Sequence, residues 1–143
     1  MFIRKTEYPL VFISGGIIYM LIEIMWRGYT HWSMGICAGV CFIGIYSIEK
    51  YRSDLNIIIK CVIGSAFITL NEFITGCIVN IIMKWNVWDY SNTHFNVLGQ
   101  ICLLFSFFWF LLCFPAFKIS KIINEIFSNR INAYKNTIEH NQF

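Results

Sequence analysis

The sequence IIIKCVIGSAFITLNEFITGCIVNIIM, residues 57–83, is the longest apolar run of this chain. A helix needs about 20 predominantly apolar residues to cross the hydrocarbon core of a bilayer, and this run is longer than that. Three further apolar runs, at residues 9–26, 32–49 and 98–117, are each near or above the same length. The sequence therefore predicts four membrane-spanning helices.

The composition agrees with a membrane protein. Of the 143 residues, 57% are hydrophobic and only 13% are charged, against about 25% charged in soluble domains. The apolar runs are continuous, whereas a membrane β-strand has about ten residues of alternating polarity. We therefore predict an all-α membrane protein, with a four-helix transmembrane bundle in residues 1–117 and an amphipathic helix in 118–143. So little sequence lies outside the spans that it leaves no room for a soluble catalytic or nucleotide-binding domain.

The distribution of Lys and Arg predicts the orientation in the cell membrane, because these residues are retained on the cytoplasmic side. One set of helix ends carries most of them: Arg4, Lys5, Lys50, Arg52, Lys118, Lys121, Arg130 and Lys135. The opposite ends have only Arg27 and Lys84. Both termini are thus expected in the cytoplasm and the two loops, 27–31 and 84–97, outside. No small-residue cleavage site follows the first apolar run, so we expect that helix to be a retained anchor.

Two ionisable residues stand at the end of the first span. Glu23 and Arg27 are four residues apart, in the order that favours an ion pair on one helix face. They either neutralise each other where the helix leaves the membrane, with the Arg27 side chain reaching the headgroups, or belong to a substrate or ion site. His31 follows one turn later and is a further binding candidate.

The third span carries a polar stripe at Glu72, Gly76 and Asn80, which share one helix face. Gly76 would allow another backbone to approach closely, leaving a carboxylate and an amide beside a gap. Such a pair suits a cation, a proton relay or a hydrogen-bonding solute. The alternative is that both side chains only bond to neighbouring helices during assembly.

The second span has small residues at helical spacing. Gly35 and Gly39 form a GxxxG pattern, typical of a close contact between helices of one unit or of two copies. No CxxC pair occurs, and the cysteines are interpreted as small buried hydrophobes without metal or cofactor. The six cysteines all lie in apolar segments: Cys37, Cys41, Cys61, Cys77, Cys102 and Cys113.

The loop before the fourth span is rich in aromatic and polar residues. Its tryptophans and Tyr90 are typical of the membrane interface. Asp89 either forms a turn or binds a ligand, and both interpretations stay open. Asn96, Gly99 and Gln100 lead polar groups from this loop into the fourth span.

Residues 118–143 repeat apolar side chains at helical spacing between polar ones. Such a helix is expected to lie on the cytoplasmic membrane surface or to bind a separate partner subunit. Nucleic-acid binding is not expected, because the net charge is only +3 and no soluble basic face is predicted.

Three stretches together resemble one family of small bacterial membrane proteins. They are GGIIYMLIEIMWRGYTHWSMGICAG (residues 15–39), NEFITGCIVN (71–80) and VWDYSNTHFNVLGQIC (87–102), followed by Trp109. The family is that of the ABC-transporter type IV, or CmpB-like, permeases, and the resemblance covers residues 12 to 112. The order of motifs, E-x-x-W-R-G, H-W, E-x-x-x-G-x-x-x-N and V-W-D-Y-S, is specific. No ATPase motif of the G-x-x-x-x-G-K-[ST] type accompanies them.

The resemblance implies a set of recurrent polar positions. The family usually carries proline where this chain has His94, so His94 is not a candidate. The positions that the resemblance implies are Glu23, Trp26, Arg27, His31, Trp32, Glu72, Asn80, Trp88, Asp89, Tyr90, Asn96 and Gln100. With these positions the predicted binding residues are Glu23, Arg27, His31, Glu72, Asn80, Trp88, Asp89, Tyr90, Asn96 and Gln100.

The favoured function is that of a permease-like protein in which a polar cluster built on Glu23, Arg27, Glu72 and Asn80 binds a small polar solute or ion. Because four helices enclose little volume, a homo-oligomer is expected. Two alternatives stay open: a non-transporting scaffold or regulator, and a membrane-embedded enzyme acting on a lipid. The enzyme is less favoured, because no HExxH or paired-histidine motif supports it.

Overall fold

The computed structural model describes the backbone of residues 2–140 and the side chains of residues 6–134, 136 and 137. Its four helices are long and apolar enough to cross a membrane, which confirms the predicted all-α fold and makes this a multi-pass membrane protein. The elements are α1 (Phe2–Arg27), α2 (Trp32–Tyr51), α3 (Ile57–Gly76) continued by a π-helical turn (Cys77–Ile82), β1 (Asn96–Val97), β2 (Ile101–Cys102) and α4 (Leu103–His140).

Three helix boundaries differ from the sequence prediction by more than two residues. The first helix begins at Phe2 rather than at residue 9. The fourth helix begins at Leu103 rather than at 98, because the residues before it form the antiparallel pair β1–β2. It then runs without a break to His140, with Pro115 inside it. The predicted boundary between a membrane domain and a tail at residue 117 is therefore not marked by a break in the helix. Residues 141–143 of the predicted tail lie outside the described residues.

Glycines bring α1 and α2 into close contact. A Cβ added at Gly16 would lie 2.7 Å from the carbonyl oxygen of Gly35. One added at Gly39 would lie 2.8 Å from the carbonyl oxygen of Phe12. Neither distance leaves room for a side chain, so the two backbones touch only because glycine stands at these positions. The predicted close contact of the GxxxG pattern is confirmed, and it lies within one chain.

The other helices pack around α2 on its remaining side. A buried apolar cluster of Ile45, Cys61, Cys113 and Phe117 joins α2, α3 and α4. By contrast α1 packs along α2 and barely contacts α4. A gap therefore runs between α1 and α4.

All six cysteines are free thiols.

The bundle has two distinct ends. We call the end with residues 28–31 and 83–102 the hairpin end, and the opposite one, with residues 52–56, the tail end. Two ion pairs with buried carboxylates lie near the tail end. Lys50 lies 2.8 Å from Glu7, and Lys60 lies 2.9 Å from Glu49. Because a lone buried charge is expensive, each pair makes its two helices depend on each other.

Candidate functional site

The π-helical turn at the end of α3 presents Asn80 to the hairpin end. Its wider winding is visible in the bond that the Met83 N–H donates to the carbonyl of Ile78, five residues earlier, at 2.9 Å. Such turns change the direction in which side chains project. Asn80 is thereby buried, accepting from the Val87 N–H at 2.7 Å and donating to Oε1 of Gln100 at 2.8 Å. Both the oxygen and the nitrogen of the Asn80 amide therefore hold the loop against the end of α3.

The loop of residues 83–102 packs into the bundle rather than projecting from it. The tight turn between β1 and β2 needs positive φ at Leu98 (52°) and Gly99 (67°), as in a type I′ turn. The buried Trp88 donates its indole N–H to the Gln100 carbonyl at 2.9 Å. Trp88 and Gln100 both press on Gly76, where an added Cβ would lie 2.7 Å from Oε1 of Gln100. The expectation that Gly76 admits another backbone is corrected: loop side chains fill this space.

Asp89 and Asn96 form the turns of the same loop. Hydrogen bonds from the Ser91 hydroxyl and backbone N–H hold the pKa of the exposed Asp89 carboxyl below its usual range. Asn96 donates to the Thr93 carbonyl at 2.8 Å and accepts from the Gly99 N–H at 3.1 Å. These contacts are those of turn-forming residues.

Glu72 is the deepest carboxylate of the hairpin half of the bundle, and only 3% of it is exposed. One carboxylate oxygen accepts from the Tyr90 hydroxyl at 3.0 Å and the other from the Trp109 indole N–H at 2.8 Å. These donors come from the loop and from α4. Among the described residues, no Lys, Arg or His lies within ion-pair distance of Glu72.

Glu23 and Arg27 form the predicted ion pair, with Nη2 of Arg27 2.6 Å from Oε1 of Glu23. Gly28 (φ 81°) ends α1 and turns the chain back, so the Thr30 hydroxyl donates to the other Glu23 oxygen. Nη1 of Arg27 donates to the Val87 carbonyl at 3.1 Å, which ties α1 to the loop. Nε of Arg27 is buried and has no hydrogen-bond partner within the described part of the chain.

Two adjoining cavities lie along the gap between α1 and α4. The cavity nearer the hairpin end has a volume of about 340 Å³ and includes Glu23, Arg27 and Tyr90 in its walls. The other has a volume of about 180 Å³ and includes Glu72. Both are otherwise almost entirely apolar, and they have five wall residues in common: Tyr19, Ile22, Met34, Trp109 and Leu112.

His31 lies apart from these cavities. It is the N-cap of α2, where its Nδ1 accepts from the Ser33 N–H at 3.3 Å. Its ring packs against Trp32 and Trp85, with centroids 5.5 and 5.4 Å away. His31 therefore has a structural role, because it caps α2 and packs against two indole rings.

The structure thus divides the ten predicted binding residues. Glu23, Arg27, Glu72 and Tyr90 meet at the cavities, as does the ring of Trp88. The polar groups of the other five serve the loop or the α2 cap: His31, Asn80, Asp89, Asn96 and Gln100.

Sequence reasoning missed Tyr19, which lies one turn before Glu23 in α1 and lines both cavities. It also gave no contact for Trp109, although that residue was part of the family resemblance. The sequence feature that could have indicated Tyr19 is its position four residues before Glu23, an intramembrane carboxylate. Among the described side chains, no group of three His, Cys, Asp or Glu residues is placed to hold a metal ion.

Comparison with known proteins supports the resemblance that the motifs suggested. The model of a family described as "Putative ABC-transporter type IV" matches residues 10–140. The match includes the four spans almost completely and every residue of the two cavities. No match was found among the curated proteins or among the solved structures. Because the family model covers most of the chain, this protein belongs to the ABC-transporter type IV family of membrane proteins.

Proposed function

We propose that the protein is a permease that carries a small polar solute or ion, with Glu72 as the group that binds it or exchanges a proton for it. The observation that carries this proposal is a carboxylate that is 3% exposed, lines an intramembrane cavity and has no cationic partner among the described residues. Ionisable residues inside membrane spans mark substrate and ion pathways and proton relays.

The charges around the cavities support this role. Arg27 is already paired with Glu23, so an ionised Glu72 leaves one uncompensated negative charge in an apolar environment. Burying a bare carboxylate costs so much free energy that a proton or a bound cation must neutralise it. Two hydrogen-bond donors orient the Glu72 carboxylate without neutralising it. Glu72 is thus suited to alternate between a proton and a cationic substrate.

We propose fewer substrate-contacting residues than the sequence predicted. Asn80 and Gln100 bond to each other, which makes them supports for the loop rather than ligands. The residues that we propose to meet the substrate are Glu23, Arg27, Glu72 and Tyr90. Arg27 and Glu23 would keep the entrance of the cavity polar, while Glu72 would bind the positive charge of the substrate.

The test is exchange in proteoliposomes that contain a pH-sensitive dye. We would supply four cations of increasing apolar size: Na⁺, choline, tetrapropylammonium and methyltriphenylphosphonium. At least one is expected to drive proton movement well above that in protein-free vesicles. Glu72→Gln should reduce this exchange at least tenfold, whereas Glu125→Gln, a change at an exposed position of α4, should leave it unchanged. Wild-type rates in the Glu72→Gln protein would refute the role of this carboxylate.

We also infer that the hairpin end faces away from the cytoplasm, because most Lys and Arg residues lie toward the tail end. A membrane-impermeant thiol reagent should then label a cysteine placed at Asn92 in intact cells, but not one placed at Asn132. Both positions are exposed, so access to the reagent depends only on the side of the membrane. The unmodified chain, with its own thiols, is the background control. Labelling only at position 132 would reverse the orientation.

We propose that the protein works as a homo-oligomer. The gap between α1 and α4 opens at the side of the bundle, so a single chain does not enclose the cavities. A second copy could close them. That residues 118–143 bind a separate subunit stays a prediction.

A further inference from the structure

Aromatic side chains bond to the Glu72 carboxylate, and further rings pack against them. Its two hydrogen-bond donors, Tyr90 and Trp109, are themselves aromatic. Phe105 stacks on Tyr90 with ring centroids 4.6 Å apart, and Tyr19 of α1 packs 5.9 Å from Trp109. The carboxylate is thus bonded to two aromatic side chains, each of which packs against a further ring, and the faces of aromatic rings attract cations.

The surroundings do not suit a small inorganic cation. Metal ions such as Ca²⁺ take about six to eight oxygen ligands in proteins, and other small hydrated cations must likewise replace their water. Here both oxygens of Glu72 already accept a hydrogen bond, and the remaining cavity wall is almost entirely apolar. A cation whose charge is covered by apolar groups loses far less hydration in such a place.

The shape of the space agrees with an apolar ligand. The larger cavity, about 340 Å³, falls within the range of about 300–1,000 Å³ typical of small-molecule sites. It shares wall residues, among them Ile22 and Leu112, with the second cavity, which includes Glu72. Both side chains are exposed, and α1 and α4, which carry them, barely contact each other. The space is therefore open sideways, toward the lipid, between α1 and α4.

We propose that this space binds a lipophilic organic monocation, with its charge at Glu72 among the rings of Tyr19, Tyr90 and Trp109 and its apolar groups in the gap between α1 and α4. The ligand enters from the bilayer through that gap. This inference rests on the proposed function, in that Glu72 is the binding carboxylate, and adds the chemical class of the substrate.

The test compares two ions of nearly the same size and shape and of opposite charge. Tetraphenylphosphonium and tetraphenylborate would each be titrated calorimetrically into the purified protein in detergent, with protein-free micelles as blank. The phosphonium ion should bind at least tenfold more tightly than the borate ion. Choline, which is small and more hydrophilic, should bind more weakly than the phosphonium ion. These comparisons need no variant and so do not depend on any variant folding.

Variants then locate the site. Glu72→Gln should weaken phosphonium binding at least tenfold. Trp109→Phe, which keeps a ring but removes the N–H donor, should weaken it less than Glu72→Gln does. Glu125→Gln, at an exposed position, is the matched carboxylate control and should bind like the wild type. Each variant would be scored only if its melting curve shows a folded protein.

Several outcomes would overturn the inference. Equal binding of both tetraphenyl ions would mean an apolar cleft without charge selection. Tight phosphonium binding that a folded Glu72→Gln protein retains would place the ion elsewhere. If phosphonium does not bind while Na⁺ drives Glu72-dependent proton exchange in vesicles, the substrate class is wrong and the proposed function stands. If no cation gives a Glu72-dependent signal in either experiment, both proposals fail.

Discussion

Replacing Lys60 by methionine is expected to destabilise the protein by about 3–5 kcal/mol, because it leaves the carboxylate of Glu49 buried without its cation. Glu49 and Lys60 are both less than 10% exposed, and Nζ of Lys60 lies 2.9 Å from the carboxylate. The same Nζ also donates to the Ser53 carbonyl at 3.2 Å. The lysine therefore joins α2, α3 and the connection between them. Chemical denaturation in detergent measures the loss.

The double variant Glu49→Leu/Lys60→Met separates the cost of a lone charge from the value of the pair. Replacing a buried ion pair by apolar residues is often neutral or stabilising by about 1–4 kcal/mol, so the double variant should regain most of the lost stability. Lys118→Met, which changes an exposed lysine of α4, is the control and should change the stability by less than about 0.5 kcal/mol. A Lys60→Met protein as stable as that control would contradict the burial of this pair.

The Glu23–Arg27 pair should show strong coupling between its two residues. Arg27→Gln leaves Glu23, which is 7% exposed, with only the Thr30 hydroxyl as a partner in the described structure. It also removes the bond to the Val87 carbonyl. Each single variant should lose about 1–3 kcal/mol, since an unsatisfied buried partner remains. The double variant Glu23→Gln/Arg27→Gln should lose less than the sum of the two, with a coupling of about 0.5–3 kcal/mol.

Activity distinguishes an ion pair from a binding site at the same two residues. If the pair only supports folding, the double variant should exchange protons for cations in vesicles like the wild type. If the pair lines the substrate path, as we propose, the double variant should reach the membrane at normal levels and yet lose most of the exchange. Wild-type exchange by a folded double variant would remove Glu23 and Arg27 from the proposed substrate-contacting residues.

Much of the fold could be predicted because it depends on local and additive properties. The long apolar runs decide that the helices cross a membrane, since no other arrangement satisfies the backbone of such segments in lipid. The ion pair of Glu23 and Arg27 follows from a spacing within one helix. The close contact at Gly35 and Gly39 follows from the absence of side chains there.

The boundaries of the fourth helix could not be found this way. The apolar residues around Val97 and Ile101 read as part of a span, but positive φ angles at Leu98 and Gly99 turn the chain into a hairpin. What fixes this hairpin is distant in sequence: Asn80, in the π-helical turn after α3, donates to Gln100 and accepts from the Val87 N–H. A hydropathy profile contains no information on hydrogen bonds between residues that are distant in sequence.

The position of Glu72 inside a membrane helix, and the need of a carboxylate there for a partner, follow from the amino-acid sequence. Which partners it has depends on how the helices and the loop fold together. Tyr90 and Trp109 lie 18 and 37 residues further along the chain, and the folded loop and the packing of α4 bring them to the carboxylate. Likewise, the gap between α1 and α4 arises because α1 packs on α2. The composition of a helix decides whether it lies in lipid or in water. The contacts between helices depend on their packing, which the sequence of one helix alone does not determine.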